Sequence, residues 1–276
     1  MVSKPQNQNE LPESISYEGS TLIFHRYGNG EKKILLFHGF GQDHRAFQSW
    51  IAVLKNDYTL FVFDLFFHGD SMWGNHEVLE KNDWKKIIGT LLTQEKINAF
   101  EIVGFSMGGK FALATLEAFP HQVKKITLLA PDGIKTNFWY SLATYPIAFR
   151  HLFKSMINRP QRFKALENFA LKVRLIDKSL LRFVESQMNT PEKRERVYYA
   201  WVVFRHLKFN MKTIANIINS NKINITLFVG KYDKIITVKN MDLLLNKLDD
   251  YKLGILETGH NGVIQESAKV LGKFSG

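Results

Sequence analysis

Three side chains that could cooperate in acyl transfer lie far apart in the sequence. Ser106 stands in the string Gly-Phe-Ser-Met-Gly, while Asp233 and His260 each follow a later apolar run. A serine hydroxyl is a weak nucleophile unless a histidine takes its proton and a carboxylate orients that histidine. We therefore predict that Ser106 is a nucleophile, that His260 is its base and that Asp233 is the orienting acid.

The surroundings of Ser106 support this prediction. An apolar run at 100–103 predicts a strand before it, and residues 110–118 have a helical pattern after it. Flanking glycines let such a strand-to-helix turn close sharply while the serine oxygen stands clear. The helix N-terminus also favours developing negative charge. The same string, followed by Gly-Lys, opens like a phosphate-binding loop, but Phe111 stands where that motif needs Ser or Thr, so nucleotide binding is disfavoured.

Two further loops and one further acid follow predicted strands. In the string His-Gly-Phe-Gly (38–41), glycines let backbone N–H groups approach a developing oxyanion, and we predict the N–H groups of Phe40 and Met107 as its donors. We expect His38 to be a structural hydrogen-bonder. His68 either lines the site or stabilises a turn, and Asp132 is the alternative acid, otherwise a turn residue.

The rest of the chain predicts the layers that would bring these loops together. From residue 21 onward short apolar runs alternate with helical patterns, which is typical of a mostly parallel sheet with helices on both faces. The first two runs, 22–27 and 34–37, are separated by Gly-Asn-Gly and predict a β-hairpin. The loops that hold Ser106, Asp233 and His260 would then share the carboxyl edge of one sheet.

The alternation stops between residues 134 and 220, where the sequence is basic, aromatic and helix-prone, and it resumes afterwards. We therefore predict an α/β core made of residues 1–133 and 221–276. Residues 134–220, named the cap segment below, are predicted to form a helical cap inserted between two core strands.

The cap segment also carries the charge of the protein. The 276-residue chain has a net charge of +11, and the cap segment has 16 lysines and arginines against five acidic residues, which is the whole excess. Three interpretations remain open: a solvated surface, attraction of anionic substrates, and weak contact with an anionic membrane surface. Nucleic-acid binding is disfavoured because no recognised binding fold accompanies the charge.

Composition limits which cofactors, metal sites and cellular locations the sequence predicts. The chain has no cysteine, which excludes disulfides and thiolate metal sites, and no metal-ligand cluster is evident, so we predict neither metal nor organic cofactor. The polar N-terminus shows no apolar signal segment, and no apolar stretch reaches the roughly 18 residues of a membrane span. These features predict a soluble, cytoplasmic protein.

With these motifs in place, the sequence from residue 21 onward resembles the small capped members of the α/β-hydrolase superfamily. The resemblance implies an α/β-hydrolase fold with a helical cap, and it implies that the 38–41 loop serves the oxyanion. Residues 64–71 match its D-x-x-x-x-G-x-S loop. Ser106, Asp233 and His260 match its nucleophile, acid and base. A serine nucleophile argues against haloalkane dehalogenases and epoxide hydrolases, which use aspartate.

The resemblance leaves the reaction open among three classes. The leading hypothesis is a serine hydrolase, carboxylesterase-like, that cleaves an ester or related acyl bond of a small molecule. The string around Ser106, with Gly109 and Lys110, is also similar to that of the menaquinone-pathway synthase that eliminates pyruvate from a succinyl-cyclohexadiene substrate. This similarity implies a lyase or C–C hydrolase of anionic substrates as the alternative. A non-catalytic ligand receptor is the third.

Overall fold

The structure, a computed structural model, describes residues 12–74, 77–135, 138–159, 161, 162, 164, 185 and 187–272. In this part of the chain the strands are β1 (Glu13–Tyr17), β2 (Ser20–Tyr27), β3 (Lys32–Phe37), β4 (Tyr58–Asp64), β5 (Phe100–Phe105), β6 (Val123–Leu129), β7 (Asn224–Gly230) and β8 (Lys252–Leu256). The helices are α1 (Gln48–Leu54), α2 (Lys81–Gln94), α3 (Gly108–Ala118), α4 (Phe138–Thr144), α5 (Ile147–Asn158), α6 (Pro191–Val203), α7 (Met211–Ser220), α8 (Val238–Leu245) and α9 (Val263–Gly272).

The strands form one eight-stranded sheet within the described ranges, in the order β1-β2-β4-β3-β5-β6-β7-β8. Strands β3 to β8 run parallel to one another, and β1 and β2 pair antiparallel at one edge. The prediction of a mostly parallel sheet is therefore confirmed. Parallel order places the C-terminal ends of β3, β5, β7 and β8, and so the loops that follow them, on one edge of the sheet.

The sheet is buried on both faces, because successive residues of a strand point to opposite sides. In β3, Leu35 and Phe37 belong to one apolar cluster, and Ile34 and Leu36 belong to the other. The first cluster includes the apolar face of α2 and α3, and the second that of α1 and α9. None of the described helices is long and apolar enough to cross a bilayer.

The predicted hairpin at Gly28 to Gly30 is wrong. Strand β2 pairs with β1 and β4, and β3 lies on the far side of β4. The glycines are needed for another reason: the connection crosses closely over the turn before β4. A Cβ on Gly30 would lie 2.1 Å from the carbonyl carbon of Asp57, and one on Gly28 would lie 2.3 Å from the carbonyl oxygen of Lys55. Strand β1 was not predicted.

The described part of the cap segment lies between β6 and β7 and is helical: α4, α5, α6 and α7 all fall within it. Residues 136, 137, 160, 163, 165–184 and 186 of the predicted cap are outside the described residues. Helix α7 buries Ile214 and Ile218 in the same apolar cluster as α3, so it packs on the core layer. The boundaries of the cap remain a prediction.

The crossing at Gly30 yields a test of the fold. Gly30→Ala would place a Cβ against backbone atoms that cannot move aside, and we expect the free energy of unfolding to fall by about 3 kcal/mol. Urea titration followed by circular dichroism measures this value. Gly89→Ala in α2 is the matched control, since its Cβ would meet the Phe119 ring at an ordinary 3.6 Å. That control should gain about 0.5–1 kcal/mol. Equal stability of the two variants would contradict the crossing.

Candidate active site

Ser106 occupies the turn between β5 and α3 in a backbone conformation that is unusual for a residue with a side chain. Its φ is +49°, a conformation that costs roughly 1–3 kcal/mol and persists only where surrounding contacts impose it. The Ser106 N–H donates to the Leu129 carbonyl at 2.9 Å, and the Ser106 carbonyl accepts from the N–H groups of Gly109 and Asp132, each at 2.8 Å. Bonds on both sides of the residue therefore hold the turn in place.

Glycines on both sides of Ser106 allow α3 to start directly over the sheet. A Cβ on Gly104 would lie 2.7 Å from the Cβ of Ala112. One on Gly108 would lie 2.0 Å from the carbonyl oxygen of Phe37, at the end of β3. The close approach at Gly108 brings the end of β3, and the 38–41 loop that follows it, next to Ser106.

His260 lies within hydrogen-bond distance of both Ser106 and Asp233. Nε2 of His260 is 3.0 Å from Oγ of Ser106, and Nδ1 of His260 is 2.6 Å from Oδ2 of Asp233. The Asp233 side chain is buried, and its Oδ1 accepts from the N–H groups of Ile235 and Ile236 at 2.8 and 2.9 Å. An ionised carboxylate only accepts hydrogen bonds, so Nδ1 of His260 carries the proton and Nε2 is free to accept from Ser106.

The alternative acid, Asp132, has a different partner. Its Oδ2 lies 3.1 Å from Nζ of Lys110, and its Oδ1 accepts from the Gly133 N–H. Lys110 is only 7% exposed, and its Nζ lies 4.1 Å from the centre of the Tyr140 ring. Burial opposes the charge of Lys110, but Asp132 and Tyr140 outweigh it, so the pKa of Lys110 is raised. Asp132 therefore compensates a buried ammonium, while Asp233 contacts His260.

The predicted oxyanion donors lie on adjacent segments. A Cβ on Gly39 would lie 2.8 Å from the ring of Phe105, the residue before Ser106. The neighbouring N–H groups of the 38–41 loop are engaged: that of Gly39 donates to Gln42, and that of Gly41 donates to His68 at 2.9 Å. The N–H groups of Phe40 and Met107 donate to no partner among the described residues. These two donors are therefore available to a bound oxygen.

His38 and His68 are both buried and both fix loops. The Leu65 N–H donates to Nε2 of His38, and Nδ1 of His38 donates to the Gly39 carbonyl. His68 likewise accepts from the Gly41 N–H at Nε2 and donates to the Phe66 carbonyl from Nδ1. Burial lowers the pKa of His38 to about 4 and, with the nearby His38 ring, that of His68 to about 3. Both rings are therefore neutral at pH 7, and His68 positions the 38–41 loop.

A second polar cluster was not predicted from the sequence. His25 on β2, His44 after the 38–41 loop and Asp64 at the end of β4 have potential metal-ligand atoms within 4.8 Å of one another. The two imidazole rings are stacked, with centres 3.5 Å apart. In-plane lone pairs of stacked rings run side by side, whereas a metal requires them to converge. The arrangement is instead that of two rings facing one buried carboxylate, which also accepts the His44 N–H at 2.7 Å.

Residues of the cap segment approach these loops. A Cβ on Gly41 would lie 2.9 Å from Oε1 of Gln187, which therefore stands over the 38–41 loop. The ring of Phe67, in the loop after β4, stacks on Tyr199 of α6 with centres 5.8 Å apart. Phe67 has φ +68°, so this contact is made by a residue in a strained backbone conformation. The cap segment thus supplies part of the surroundings of the site.

The α/β-hydrolase class is defined by a sheet of this kind, by a serine in a strand-to-helix turn, and by loops that carry the nucleophile, acid and base in this chain order. These are the features seen here at Ser106, Asp233 and His260. The family model described as alpha/beta hydrolase fold matches residues 32–267. The chain therefore belongs to the α/β-hydrolase fold family.

Relatives agree with this assignment. The chain is 28% identical over 109 residues to "Putative esterase/lipase 2" of Mycoplasma genitalium, a match that spans 39% of this chain and only 40% of that protein. It is 24% identical over 253 residues to "Uncharacterized hydrolase YugF" of Bacillus subtilis, spanning 89% of this chain and 90% of that protein. Among solved structures, an esterase from Thermogutta terrifontis superposes with a TM-score of 0.69 at 17% identity, over 96% of this chain and 97% of that one. That likeness shows the fold.

The buried histidines predict a pH dependence of stability. The pKa values of His38 and His68 in the folded chain lie below the ordinary 6.5. As the pH falls, these two histidines are therefore protonated in the unfolded chain before they are protonated in the folded chain. Stability is therefore full above pH 6.5 and declines towards pH 4 and below, by ~3 kcal/mol for His38. Urea unfolding at several pH values measures this decline.

His68→Gln tests the assignment, because its amide oxygen can still accept the Gly41 N–H without taking a proton. We expect a smaller loss of stability between pH 6.5 and 4 than in the unsubstituted chain. The exposed His121→Gln controls for the loss of a histidine elsewhere. An unchanged pH slope in His68→Gln would contradict a neutral buried ring.

Proposed function

We propose that this protein is a serine hydrolase that cleaves a carboxylic ester or related acyl bond of a small molecule. The observation that carries the proposal is the continuous hydrogen-bond chain from Oγ of Ser106 through His260 to Asp233, with separations of 3.0 and 2.6 Å. This order of groups makes a serine nucleophilic: the base takes its proton and the acid stabilises the imidazolium that forms.

The first half of the reaction forms an acyl-enzyme. His260 takes the proton of Ser106 as Oγ attacks the substrate carbonyl carbon, and the carbonyl π electrons move to its oxygen. The N–H groups of Phe40 and Met107 donate to this oxyanion, and each such donor stabilises the transition state by about 3–4 kcal/mol. The oxyanion then collapses, the bond to the alcohol breaks, and His260 returns the proton to the leaving oxygen.

The second half releases the acid. Water gives a proton to Nε2 of His260 and attacks the acyl carbon, and the resulting oxyanion occupies the same two donors. Its collapse breaks the bond to Oγ, which regains the proton from His260. Asp233 accepts from its two backbone donors and from the imidazole in both halves, and so keeps the ring of His260 oriented towards Ser106. The cycle needs no metal or organic cofactor. We also propose a cytoplasmic location for the protein.

A lyase or C–C hydrolase acting on an anionic substrate is the second candidate, favoured by the positive charge of the cap segment. Lys110, the cation nearest to the serine turn in sequence, argues the other way, since Asp132 and Tyr140 already engage it. Turnover of short-chain p-nitrophenyl esters distinguishes the two, because an enzyme dedicated to the second class should hydrolyse them poorly. A ligand receptor of the same fold would turn over neither.

The nucleophile can be tested by labelling with a fluorophosphonate, which reacts with activated serines. We expect the unsubstituted chain to be labelled, and Ser106→Ala to lose both labelling and hydrolysis of p-nitrophenyl acetate, the latter by about 10⁴-fold or more. Ser155→Ala in α5 is the matched control and should keep both. Absence of labelling in the unsubstituted chain would remove the hydrolase proposal and favour the receptor.

The choice between the two acids can be tested by isosteric substitution. Asp233→Asn removes the charge that fixes the protonated nitrogen of His260, so we expect kcat to fall by about 10⁴-fold while the fold is kept. Asp132→Asn should lower the free energy of unfolding, because Lys110 loses its counter-charge, and should leave kcat of the folded protein within about tenfold. Steady-state ester hydrolysis and urea unfolding check both. The reverse pattern of kcat would assign the acid to Asp132.

A further inference from the structure

Helix α5 of the cap segment has one face that packs inward and one that does not. On the inner face Met156 and Ile157 are buried, and the Phe153 ring contacts Tyr198 and Trp201 of α6. The buried Arg194 of α6 closes the end of α5 by donating to the Ile157 carbonyl at 2.8 Å. This side of α5 is therefore fixed to the rest of the cap segment.

The other side of α5 presents large apolar side chains to solvent. Ile147 is 65% exposed, and Phe149 and Leu152 are each 44% exposed. Ile147 and Leu152 lie at the two sides of the exposed arc of the helix, about 140° apart, and Phe149 lies beside Leu152, three residues earlier. Single exposures of this kind are ordinary, but three large apolar side chains exposed within six residues of one helix are unusual for a surface that faces only water.

Uncompensated positive charge lies in the same stretch of the chain. Between Asp132 and Glu167 the sequence contains six lysines and arginines and no acidic residue. Four of the six are exposed, and none of these four forms an ion pair with a carboxylate in the described part of the chain: Lys154, Arg159, Arg162 and Lys164. A solvated helix surface normally carries both signs of charge, so this segment is unusual in its one-sided charge.

Exposed aliphatic side chains among unpaired cations match the two layers of a lipid surface. Aliphatic groups can enter the boundary between headgroups and acyl chains, while lysine and arginine remain with the anionic headgroups. A nucleic-acid surface would supply the anionic partner for the cations but no apolar partner for Ile147 and Leu152. An anionic lipid surface therefore offers a partner to both the cations and the exposed apolar side chains.

We propose that the outer face of α5, with the basic residues that follow it to Lys164, docks on the surface of an anionic lipid bilayer. The contact is peripheral, and it places the cap segment, rather than the opposite side of the core, against the membrane. The inference does not rest on the proposed hydrolysis, since it uses no residue of the Ser106 site. If both hold, esters dissolved in or released from a bilayer are the substrates that the docked protein meets.

Co-sedimentation with vesicles tests the docking. We expect the full chain to bind vesicles of phosphatidylglycerol mixed with phosphatidylcholine and to bind pure phosphatidylcholine at least about tenfold more weakly. Binding should also weaken when salt is raised from about 0.05 to 0.5 M, which shortens the range of surface charge. Ser106→Ala should bind as the unsubstituted chain does, so that failure of hydrolysis and failure of docking remain distinguishable.

Substitutions on α5 localise the contact. Lys154→Glu should weaken binding at least about fivefold, and Leu152→Asp about tenfold. Leu243→Asp and Lys247→Glu, exposed at and beyond the end of α8, are the matched controls and should leave binding unchanged. Circular dichroism and p-nitrophenyl acetate hydrolysis verify that each variant is folded. Equal losses in the α5 variants and the controls would reduce the effect to net charge and overturn the proposal.

The absence of cysteine allows a direct second measurement on a nearly unaltered chain. Ile147→Cys introduces a single thiol that can carry an environment-sensitive fluorophore, and Leu243→Cys is its control. We expect a blue shift with anionic vesicles for the label at 147 and none for the label at 243. A label at 147 that stays in water, or a chain that binds DNA or an acidic protein but not vesicles, would overturn the proposal.

Discussion

At Ser106 the chain leaves a buried strand and enters a helix within two residues, with φ at +49°. That conformation persists because the peptide groups on both sides of the residue are bonded, to β6 on one side and to α3 and the Asp132 loop on the other. The contact of Gly108 with the end of β3 adds a steric constraint, since no side chain fits there. The position of Oγ is therefore set by the backbone and not by a mobile side chain alone.

The parallel arrangement of β3 to β8 extends this constraint to the other loops. Each functional loop begins where one of these strands ends, so the register of the sheet fixes their spacing. His260 reaches Ser106 because β8 and β5 end on the same edge, although 154 residues separate the two side chains. The Asp233 carboxylate is held by its own loop, through two backbone N–H groups, before it contacts His260. The nucleophile, the base and the acid are thus each held by a separate loop.

The buried titratable side chains near the site avoid an uncompensated charge in two different ways. His38 and His68 stay neutral and use both ring nitrogens to connect loops, which avoids the cost of a buried cation. Lys110 keeps its charge because Asp132 and the face of Tyr140 compensate it. The stretch from Lys154 to Lys164 is the opposite case, with four exposed cations that no described carboxylate neutralises. The buried charges near the site are therefore compensated by neighbouring groups, whereas these exposed cations have no described carboxylate as a partner.

Much of this arrangement was readable from local sequence. The alternation of apolar runs with helical patterns determined a covered parallel sheet, because burial on both faces requires continuous apolar strands. The glycines around Ser106 determined a tight strand-to-helix turn, and the order of Ser106, Asp233 and His260 identified which loops to compare. Family membership follows from the same features and is confirmed by the match over residues 32–267.

Other features depended on pairings that no local pattern encodes. Glycines 28 and 30 predicted a hairpin, but they serve a crossing over the 55–58 turn, and only the sheet order reveals it. The stacking of His25 on His44 beside Asp64 and the choice of Lys110 as the partner of Asp132 are likewise contacts between distant elements. The sequence by itself determined most of the core strands and helices and the reactive residue types, but not β1 or the strand order. The tertiary structure decided which side chains meet, because strand order and long-range packing set the distances between loops.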